Sequence, residues 1–405
     1  MRPFDGRRIL LGVTGGIASY KSVMLARLLT QAGAEVDVVM TRAALEFVGA
    51  ITFEAVTGRR SYSEIFGAGN ALDHIKLARD ASMIVVAPAT ADFLARVSHG
   101  HADDLLTASL LANISPVLLV PAMNDRMWAN SQTARNVSNL KEAGYFVLDP
   151  DTGPLAAGEG QGPGRMPEPE AILLRMARIL EGGERLRDRR IVVTAGATRE
   201  PIDPVRFLSN HSSGRMGVAL AEAAWRRGAD VTLIAGHLEV PVNFPVTVVS
   251  AGTTSDMKAA VAAALPGADA LIMAAAPSDF RPVSPAGQKI KKRPGVSQGP
   301  QVIELVENDD ILRSTLANRP TGCVVVGFAL ETENIHAHAR SKLEQKSLDL
   351  VVANDATEDG AGFGTATNRV TLLGRDGALE ELPLMAKTEL ADLLLDRIEG
   401  MLDGR

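Results

Sequence analysis

The sequence predicts two α/β domains, each a doubly wound Rossmann-like or flavodoxin-like fold around a mostly parallel sheet. Short, mostly apolar runs alternate with amphipathic helical patterns along both halves of the chain. Each half opens with a strand, a Gly-rich turn and a helix, at residues 10–22 and again from residue 192. A length of 405 residues also suits two domains of ordinary size better than one.

In the first half, the apolar runs predict strands that are buried on both faces of a sheet, at residues 8–13, 36–40, 83–88, 117–121 and 145–148. Patterns with helical period lie between or after these strands, at residues 20–33, 103–112, 131–144 and 168–180. The intervening stretch 149–166 is crowded with Gly and Pro and shows neither pattern.

The charged segment 181–190 predicts the domain boundary, which divides the chain into residues 1–187 and 188–405. The second half predicts strands at 191–195, 231–235, 246–250, 270–275, 323–328 and 348–353, with an antiparallel strand at 370–373. Helices are expected at 216–227 and 386–401. Prolines, glycines and basic residues at 277–300 predict a long functional loop.

Composition limits the functional classes. Hydrophobic residues make up 46% of the chain and charged residues 22%, which is typical of globular proteins rather than disordered ones. A net charge of −6 argues against nucleic acid as a partner. The single cysteine, Cys323, excludes an intrachain disulfide and a cysteine-based metal site. No signal peptide or membrane-length apolar run is recognisable, so we expect a cytoplasmic enzyme without a membrane partner.

The first candidate ligand site is the Gly-rich turn after the first strand. Gly15 and Gly16 allow the backbone to approach a phosphate, whose charge the N-terminus of a helix near Ser19 favours. Thr90, at the end of another strand, is expected to line the same pocket. The spacing is not G-x-G-x-x-G, and the second strand ends without an acidic residue, so FMN fits better than NAD. A tight turn without a ligand is the structural alternative.

His74 lies just before the third predicted strand of this half. A lone histidine is often structural or merely exposed, but its position beside a ligand-bearing strand end is also typical of a catalytic base.

Four motifs carry a family resemblance over about residues 1–180: GGIASYKS, DHIKLAR, APATADFLARVSHG and PAMNDRMW. In this order they resemble the flavin-dependent phosphopantothenoylcysteine decarboxylases. The resemblance implies that His74 is the catalytic base, that Asn124 binds the substrate carboxylate, and that Met127 belongs to the same substrate-facing motif. It also implies that FMN oxidises the cysteinyl thiol to a thioaldehyde and returns a hydride after carbon dioxide leaves.

One position departs from that family. Its flap often reads L-A-C-G-x-x-G-x-G-R-M, whereas this chain has Ala157 in place of the cysteine. Alanine has no proton to donate to the enethiolate. Another group or water donates it, or the position has been engineered, or this half releases an oxidised product. A non-catalytic flavoprotein half is a further alternative.

The second candidate site follows the first strand of the second half, in the long polar segment 194–217. Ser212 and Ser213 stand where a helix N-cap is expected. Arg206 and Asn210 nearby indicate an anionic ligand. Lys289 opens a basic run in the long loop, which is either a solvated face or a lid over phosphates.

Asp279 follows the strand at 270–275 and is either a turn cap or a ligand for Mg²⁺. Lys342 and Lys346 lie one helical turn apart on one face, where a solvent-exposed stripe is the simpler interpretation. Asn354 and Asp355 end another strand and are candidates for the same pocket.

A second resemblance covers about residues 188–400. The motifs TAGATREPIDPVRFLSNHSSGRMG, AAAPSDF, KIKK, GFALET and VANDATEDGAGF resemble the phosphopantothenate–cysteine ligases, in their bacterial CTP-using form. The resemblance implies that the carboxylate of 4'-phosphopantothenate attacks the α-phosphate of CTP, giving an acyl cytidylate and pyrophosphate. The amine of L-cysteine then displaces CMP.

This resemblance also implies residue roles. Asn210 contacts the acyl cytidylate and Lys289 the acyl phosphate. Asp279 and Phe328 lie at the cytidine or the metal, Lys342 and Lys346 approach the triphosphate, and Arg206 meets the phosphate of phosphopantothenate. Together the two resemblances imply a homo-oligomer, with trimeric decarboxylase units joined through dimeric ligase units. A nicotinamide-dependent reductase with two Rossmann-like domains is the remaining rival.

Overall fold

The computed structural model describes residues 2–67, 70–155, 160–182, 185–291, 302–331, 335–355 and 364–404. Ala157 and the end of the basic run after Lys291 lie outside the described residues. The chain divides into two compact units, Met1–Gly183 and Glu184–Arg405.

The first unit is built on a six-stranded parallel sheet with the order β3-β2-β1-β4-β5-β6. Its strands are β1 (Arg8–Val13), β2 (Glu35–Met40), β3 (Ser61–Tyr62), β4 (Met83–Ala89), β5 (Val117–Pro121) and β6 (Phe146–Val147). The helices are α1 (Ser19–Gln31), α2 (Ala50–Thr57), α3 (Asp73–Asp80), α4 (Ala91–Ser98), α5 (Leu105–Leu111), α6 (Asp125–Trp128), α7 (Ser131–Glu142) and α8 (Pro169–Leu180). An antiparallel hairpin joins β7 (Asp151–Pro154) to β8 (Gln161–Arg165).

Alternation along β1 explains why helices cover both faces of this sheet. Successive strand residues point to opposite faces. Leu11 therefore enters the core that contains Leu25 and Leu29 of α1, whereas its neighbour Leu10 enters the core that contains Phe93 of α4. Because both faces of β1 need an apolar cover, the strand reads as an unbroken hydrophobic run.

The second unit has an eight-stranded sheet with the order β13-β12-β9-β14-β17-β18-β20-β21. Its strands are β9 (Arg190–Ala195), β12 (Asp230–Ala235), β13 (Thr247–Ser250), β14 (Ala270–Met273), β17 (Val324–Glu331), β18 (Leu350–Asp355), β20 (Thr371–Gly374) and β21 (Leu379–Glu381). The first six in the spatial order are parallel, and β20 and β21 continue the sheet in antiparallel fashion.

Five helices and three small antiparallel pairs complete the described part of this unit. The helices are α9 (Arg215–Arg226), α10 (Thr254–Ala264), α11 (Ile311–Ser314), α12 (Ile335–Gln345) and α13 (Lys387–Asp403). The pairs are β10 (Arg199–Pro201) with β11 (Phe207–Ser209), β15 (Phe280–Pro282) with β16 (Leu305–Glu307), and β19 (Thr367–Asn368) with β22 (Met385–Ala386).

Helix α9 approaches the sheet closely because Gly217 has no side chain. A Cβ at this position would lie 2.5 Å from the Cβ of Ala195 and 2.7 Å from the carbonyl oxygen of Thr194. At the far end of α9, the buried guanidinium of Arg226 pairs with Asp392 of α13, and that of Arg227 pairs with Glu399 at 2.9 Å. These ion pairs tie the C-terminal helix to α9.

The predicted fold class is confirmed, since both units are α/β with mostly parallel sheets. Of the two arrangements named, the strand order is the Rossmann-like one in both units. The stretch 149–166 contains a hairpin, and the loop 277–300 contains β15. The observed division after residue 183 precedes the predicted one after 187. Leu186 is buried and donates its N–H to Arg227 O at 2.9 Å, so it packs with the second unit.

Among the described helices, none combines the length and the apolar character that crossing a membrane requires.

Candidate active sites at the switch points of the two sheets

In the first unit, the strand order reverses between β1 and β4, where open α/β sheets bind their ligands. The buried hydroxyl of Thr14 bridges this point. It donates to Pro88 O at 2.7 Å and accepts from the Thr90 N–H at 3.2 Å. Thr90 in turn caps α4 by accepting from the Phe93 N–H. The segments that follow the two strands are therefore held side by side.

The Gly-rich turn lies at this switch point, directly before α1. Gly15 packs against the next loop, because a Cβ there would lie 2.5 Å from that of Ala43. A Cβ on Gly16 would meet nothing closer than Thr90 Cγ2 at 3.9 Å, so the backbone at Gly16 faces open space. Ala18 at the N-cap cannot accept a hydrogen bond with its side chain, which leaves the N-terminus of α1 without a competing cap.

Ser19, a predicted cofactor-binding residue, is fully buried. Its hydroxyl donates to Gly16 O at 2.6 Å and also lies 3.1 Å from Thr14 O. The side chain therefore stabilises the glycine turn, and the role of Ser19 in cofactor binding stays a prediction.

His74 lies in the first turn of α3 and is half-buried. Its Nδ1 is buried and has no hydrogen-bond partner among the described residues. A buried imidazole nitrogen without a partner is an expected feature of a group that exchanges a proton with a ligand.

Asn124 caps α6 just after β5, accepting from the Arg126 N–H at 2.9 Å, and Met127 is 49% exposed in the same short helix. The β7–β8 hairpin packs on this segment. The Met123 N–H donates to Gly164 O at 3.0 Å, and a Cβ on Gly164 would lie 2.1 Å from Met123 O. The hairpin that carries the flap is thus anchored beside Asn124.

The second unit repeats the arrangement between β9 and β14. The buried hydroxyl of Thr198 accepts from the Ser278 N–H at 2.9 Å and contacts Thr254 Oγ1 at 2.9 Å. A threonine after the first strand thus holds the segment after the fourth strand of the sheet, as Thr14 holds Thr90 in the first unit. We call the hydrogen bond from the backbone N–H to the threonine hydroxyl, Thr90 to Thr14 in the first unit and Ser278 to Thr198 in the second, the threonine latch.

A cavity of about 420 Å³ opens at this second switch point. It brings together six predicted residues, which are Asn210, Asp279, Phe328, Lys342, Lys346 and Asn354. The amide of Asn210 is oriented by two bonds from its Nδ2, to Ala276 O at 3.2 Å and Pro277 O at 3.1 Å. The side chain of Asp355 lies outside the described residues.

Lys346 forms an ion pair with Asp310 at 2.8 Å on the cavity wall. Burial by itself would raise the pKa of Asp310, but the bonds from Lys346 and from the Arg313 N–H lower that pKa overall. The Asp310 carboxylate therefore stays ionised at neutral pH.

Arg206 and Lys289 do not belong to the described cavity lining. Arg206 donates from Nε to Asp203 Oδ2 at 2.9 Å and from Nη2 to Ile290 O at 2.6 Å. The Ile290 N–H donates to Asp203 Oδ2 at 3.1 Å. Asp203 and Arg206 together thus clamp the backbone at Ile290, directly beside the exposed Lys289. The role predicted for Arg206, contact with the phosphate of phosphopantothenate in its own or a neighbouring subunit, stays a prediction.

Burial alone would raise the pKa of Asp203. The N–H groups of Ile290, Val205 and Arg206, together with the Arg206 guanidinium, outweigh burial and hold this pKa far below its ordinary value. The Asp203 carboxylate of the clamp therefore stays ionised at neutral pH.

Asp279 is exposed at the mouth of the cavity, and its carbonyl accepts from the Asn308 N–H at 2.8 Å. Among the residues that the structure describes, no group of three or more His, Cys, Asp or Glu is arranged to hold a metal ion.

Comparison with known proteins identifies the family. Residues 2–180 match the flavoprotein family, and residues 186–401 match the DNA/pantothenate metabolism flavoprotein C-terminal domain. The coenzyme A biosynthesis bifunctional protein CoaBC of Mycobacterium tuberculosis (strain ATCC 25618 / H37Rv) is 45% identical over 98% of this chain and 97% of its own length. The CoaBC protein of Vibrio vulnificus (strain YJ016) is 41% identical over 99% of this chain and its full length.

The chain belongs to the CoaBC family. It is a bifunctional enzyme of coenzyme A biosynthesis, with a phosphopantothenoylcysteine decarboxylase activity and a phosphopantothenate–cysteine ligase activity. A crystal structure of the C-terminal domain of a CoaBC protein is also similar, with 37% identity and a TM-score of 0.46 over 55% of this chain and all of that one.

In this CoaBC chain, the cavity lining includes residues that the sequence motifs did not single out, among them Arg215, Ser278, Asn308, Asn368 and Lys387. Ser278 Oγ and Asn368 Oδ1 are buried and have no partner among the described residues. Arg215 and Ser278 stand inside quoted motifs and were within reach of sequence reasoning. Asn368 and Lys387 stand in segments without a motif, and only the tertiary fold brings them to the site.

Proposed function

We propose that the first unit binds FMN at the β1–β4 switch point and decarboxylates phosphopantothenoylcysteine there. The support is geometric. Gly16 faces open space at an uncapped helix N-terminus, which suits a phosphate, and Thr90 adjoins the same turn. When bound, FMN supplies a reversible two-electron acceptor for the cysteinyl carbon of the substrate.

The protein groups of this site move protons and orient the substrate. We assign proton removal to His74, whose buried Nδ1 has no partner among the described residues. Asn124 binds the substrate carboxylate, and Met127 contacts the substrate chain beside it. The hairpin anchored at Met123 closes over this region and excludes water.

We propose that the second unit joins 4'-phosphopantothenate to L-cysteine at the expense of CTP, in the 420 Å³ cavity. The carboxylate attacks the α-phosphate of CTP, pyrophosphate leaves, and the amine of cysteine then displaces CMP. The observation that carries this proposal is the convergence of Asn210, Lys342 and Lys346 on one cavity at a switch point. Phe328 and Asn354 complete the nucleotide wall.

The proposal includes Mg²⁺, which the protein and the phosphates of the nucleotide bind together. The exposed carboxylate of Asp279 offers one protein oxygen, and phosphate oxygens and water supply the others, which is the usual way in which proteins bind magnesium. Lys289, next to the backbone that the Asp203–Arg206 clamp holds, contacts the acyl phosphate in this proposal.

The two activities act in sequence, because the ligase product is the decarboxylase substrate. We propose that the enzyme works in the cytoplasm as a homo-oligomer, with trimeric first units and dimeric second units. Ile17, Tyr20 and Met24 are 70%, 60% and 49% exposed on one side of α1 and the turn before it, and an apolar surface of this kind suits a subunit contact beside the flavin site.

The test is a coupled assay on the purified chain. We expect a yellow protein that releases pyrophosphate from CTP, but not from ATP at the same concentration, when phosphopantothenate and cysteine are supplied. Carbon dioxide should follow with phosphopantothenoylcysteine as substrate. A colourless protein that binds NADPH would contradict the flavin site and support a nicotinamide-dependent reductase.

Ala157 leaves two possible products of the first unit, because the cysteine that usually donates the proton from the flap is missing from the sequence. The mass of the decarboxylated product separates the two cases. A thiol product shows that another donor completes the reaction, whereas a product lighter by two hydrogens shows that the oxidised enethiol is released.

A further inference from the structure

The lining of the ligase cavity includes Arg215, Asn368 and Lys387, which we call the β19–β22 corner. Asn368 lies on β19, paired in register with Met385 of β22, and Lys387 follows directly as the first residue of α13. Arg215 is the first residue of α9. Three elements that are far apart in sequence therefore contribute polar residues to the cavity lining.

Lys387 is only 8% exposed, and its ammonium group donates a hydrogen bond inside the protein. Its Nζ donates to Thr365 O at 2.8 Å, and its backbone N–H donates to Ala366 O at 3.0 Å. Burial and then repulsion from Arg215 lower the pKa of Lys387. Two cations that repel each other at a cavity wall are stabilised when an anion binds between them.

Asn368, in contrast to the two cations, offers an acceptor and needs a hydrogen-bond donor. It is 4% exposed, and its Oδ1 has no hydrogen-bond partner among the described residues. A buried carbonyl oxygen without a donor is destabilising, because the hydrogen bonds that it made to water in the unfolded chain are not replaced. A ligand that presents an N–H at this point removes that cost, whereas a phosphate, which offers only acceptors, does not.

The corner thus combines sites for an anion and for an N–H donor, which matches the main-chain groups of an amino acid. We propose that the β19–β22 corner binds the amino-acid substrate. Lys387 and Arg215 hold its α-carboxylate, and Asn368 Oδ1 accepts a hydrogen bond from its amine. This inference rests on the ligase function proposed above.

Holding the amine in this way serves the second half of the ligation. The amine, after losing a proton to solvent, forms the C–N bond to the acyl carbon, and the C–O bond to the cytidylate breaks as CMP leaves. Fixing both groups of the amino acid lowers the entropy loss of this step. The same contacts should favour an amino acid over an amine that lacks a carboxylate.

The test compares L-cysteine with cysteamine, which has the same thiol and amine but no carboxylate. We expect the wild-type enzyme to prefer cysteine and Lys387→Met to lose about tenfold or more of that preference in kcat/KM, since a charge-assisted bond contributes about 1.5–3 kcal/mol. Exchange of pyrophosphate into CTP with phosphopantothenate, which needs no cysteine, should persist. Arg397→Met is the matched control, since Arg397 lies on the same helix and pairs with Glu380 at 2.9 Å.

Asn368→Asp provides a second variant. The added carboxylate should repel that of cysteine and raise the KM for cysteine about tenfold, while the KM for cysteamine stays the same or falls. An unchanged preference in both variants, or a raised KM for CTP with that for cysteine unaltered, would overturn the inference and assign the corner to the nucleotide phosphates. A wild-type enzyme that forms no amide from cysteine at all would instead contradict the proposed ligase function.

Discussion

At the scale of single residues, the role proposed for His74 gives the sharpest prediction. We predict that His74→Asn removes carbon dioxide release by at least a hundredfold, because the asparagine amide cannot accept a proton near neutral pH. Ligation of cysteine should remain within a factor of two of wild type. The measurement is carbon dioxide and amide formation on one preparation, and equal loss of both activities would refute the division of labour.

The Asp203–Arg206 clamp gives a prediction of a different kind, since neither residue lines the described cavity. In Asp203→Asn, the side chain can no longer accept from both the Ile290 N–H and Arg206. Lys289 should then be poorly positioned, lowering ligase kcat roughly tenfold with little change in the KM for cysteine. Lys289→Ala serves as the reference. A normal kcat for Asp203→Asn with a low kcat for Lys289→Ala would show that the clamp does not position the loop.

The depressed pKa of Asp203 also fixes the pH behaviour of the clamp. A carboxylate with a folded pKa below its unfolded value stabilises the fold fully above the unfolded pKa, and this contribution disappears as the pH falls toward the folded pKa. The stability difference between wild type and Asp203→Asn should therefore be constant at neutral pH and shrink only in acid.

At the scale of elements, two helical glycines in the second unit make a matched pair. Gly217→Ala in α9 forces a Cβ to within 2.5 Å of Ala195 Cβ and 2.7 Å of the Thr194 carbonyl oxygen, and should destabilise the unit by about 1–3 kcal/mol. Gly400 in α13 is exposed and has no atom within 4 Å of an added Cβ. Gly400→Ala should stabilise by about 0.5–1 kcal/mol. Thermal unfolding of both variants checks the pair.

The flap hairpin offers the corresponding test in the first unit. Gly164→Ala places a Cβ against Met123 O and should push β8 away from Asn124, so that decarboxylation falls at least tenfold while ligation is unchanged. Gly153→Ala in the facing strand is the control, because its Cβ meets Arg165 Cδ at an ordinary 3.4 Å. Equal activity of the two variants would show that the hairpin does not support the site.

Elements also show what could be read from the sequence. The strands at 8–13 and 117–121 were predicted with their observed bounds, because strands buried on both faces are nearly continuous apolar runs. The pairs β10–β11 and β19–β22 consist of two or three residues each, too short for a periodic signal. The same reason explains the site: motifs located Asn210 and Asp279, whereas Asn368 and Lys387 join the cavity only through tertiary folding.

For the whole molecule, the separation of the two activities predicts complementation. His74→Asn keeps the ligase cavity, and Asn210→Asp keeps the first unit. Neither variant alone should make 4'-phosphopantetheine from phosphopantothenate, and a mixture of the two should, because the intermediate formed by one can diffuse to the other. An inactive mixture, with each partial activity intact, would mean that the intermediate never leaves the chain that made it.

The threonine latch recurs in both units, although one switch point is assigned to redox chemistry and the other to acyl activation. Thr14 and Thr198 each bridge a switch point, where the segments that follow two neighbouring strands lead to opposite sides of the sheet. The same hydroxyl contact therefore occurs at both points, whichever ligand each of them is proposed to bind. In protein engineering, the threonine of the latch can therefore be kept while the sequences of the surrounding loops are changed to bind a new ligand.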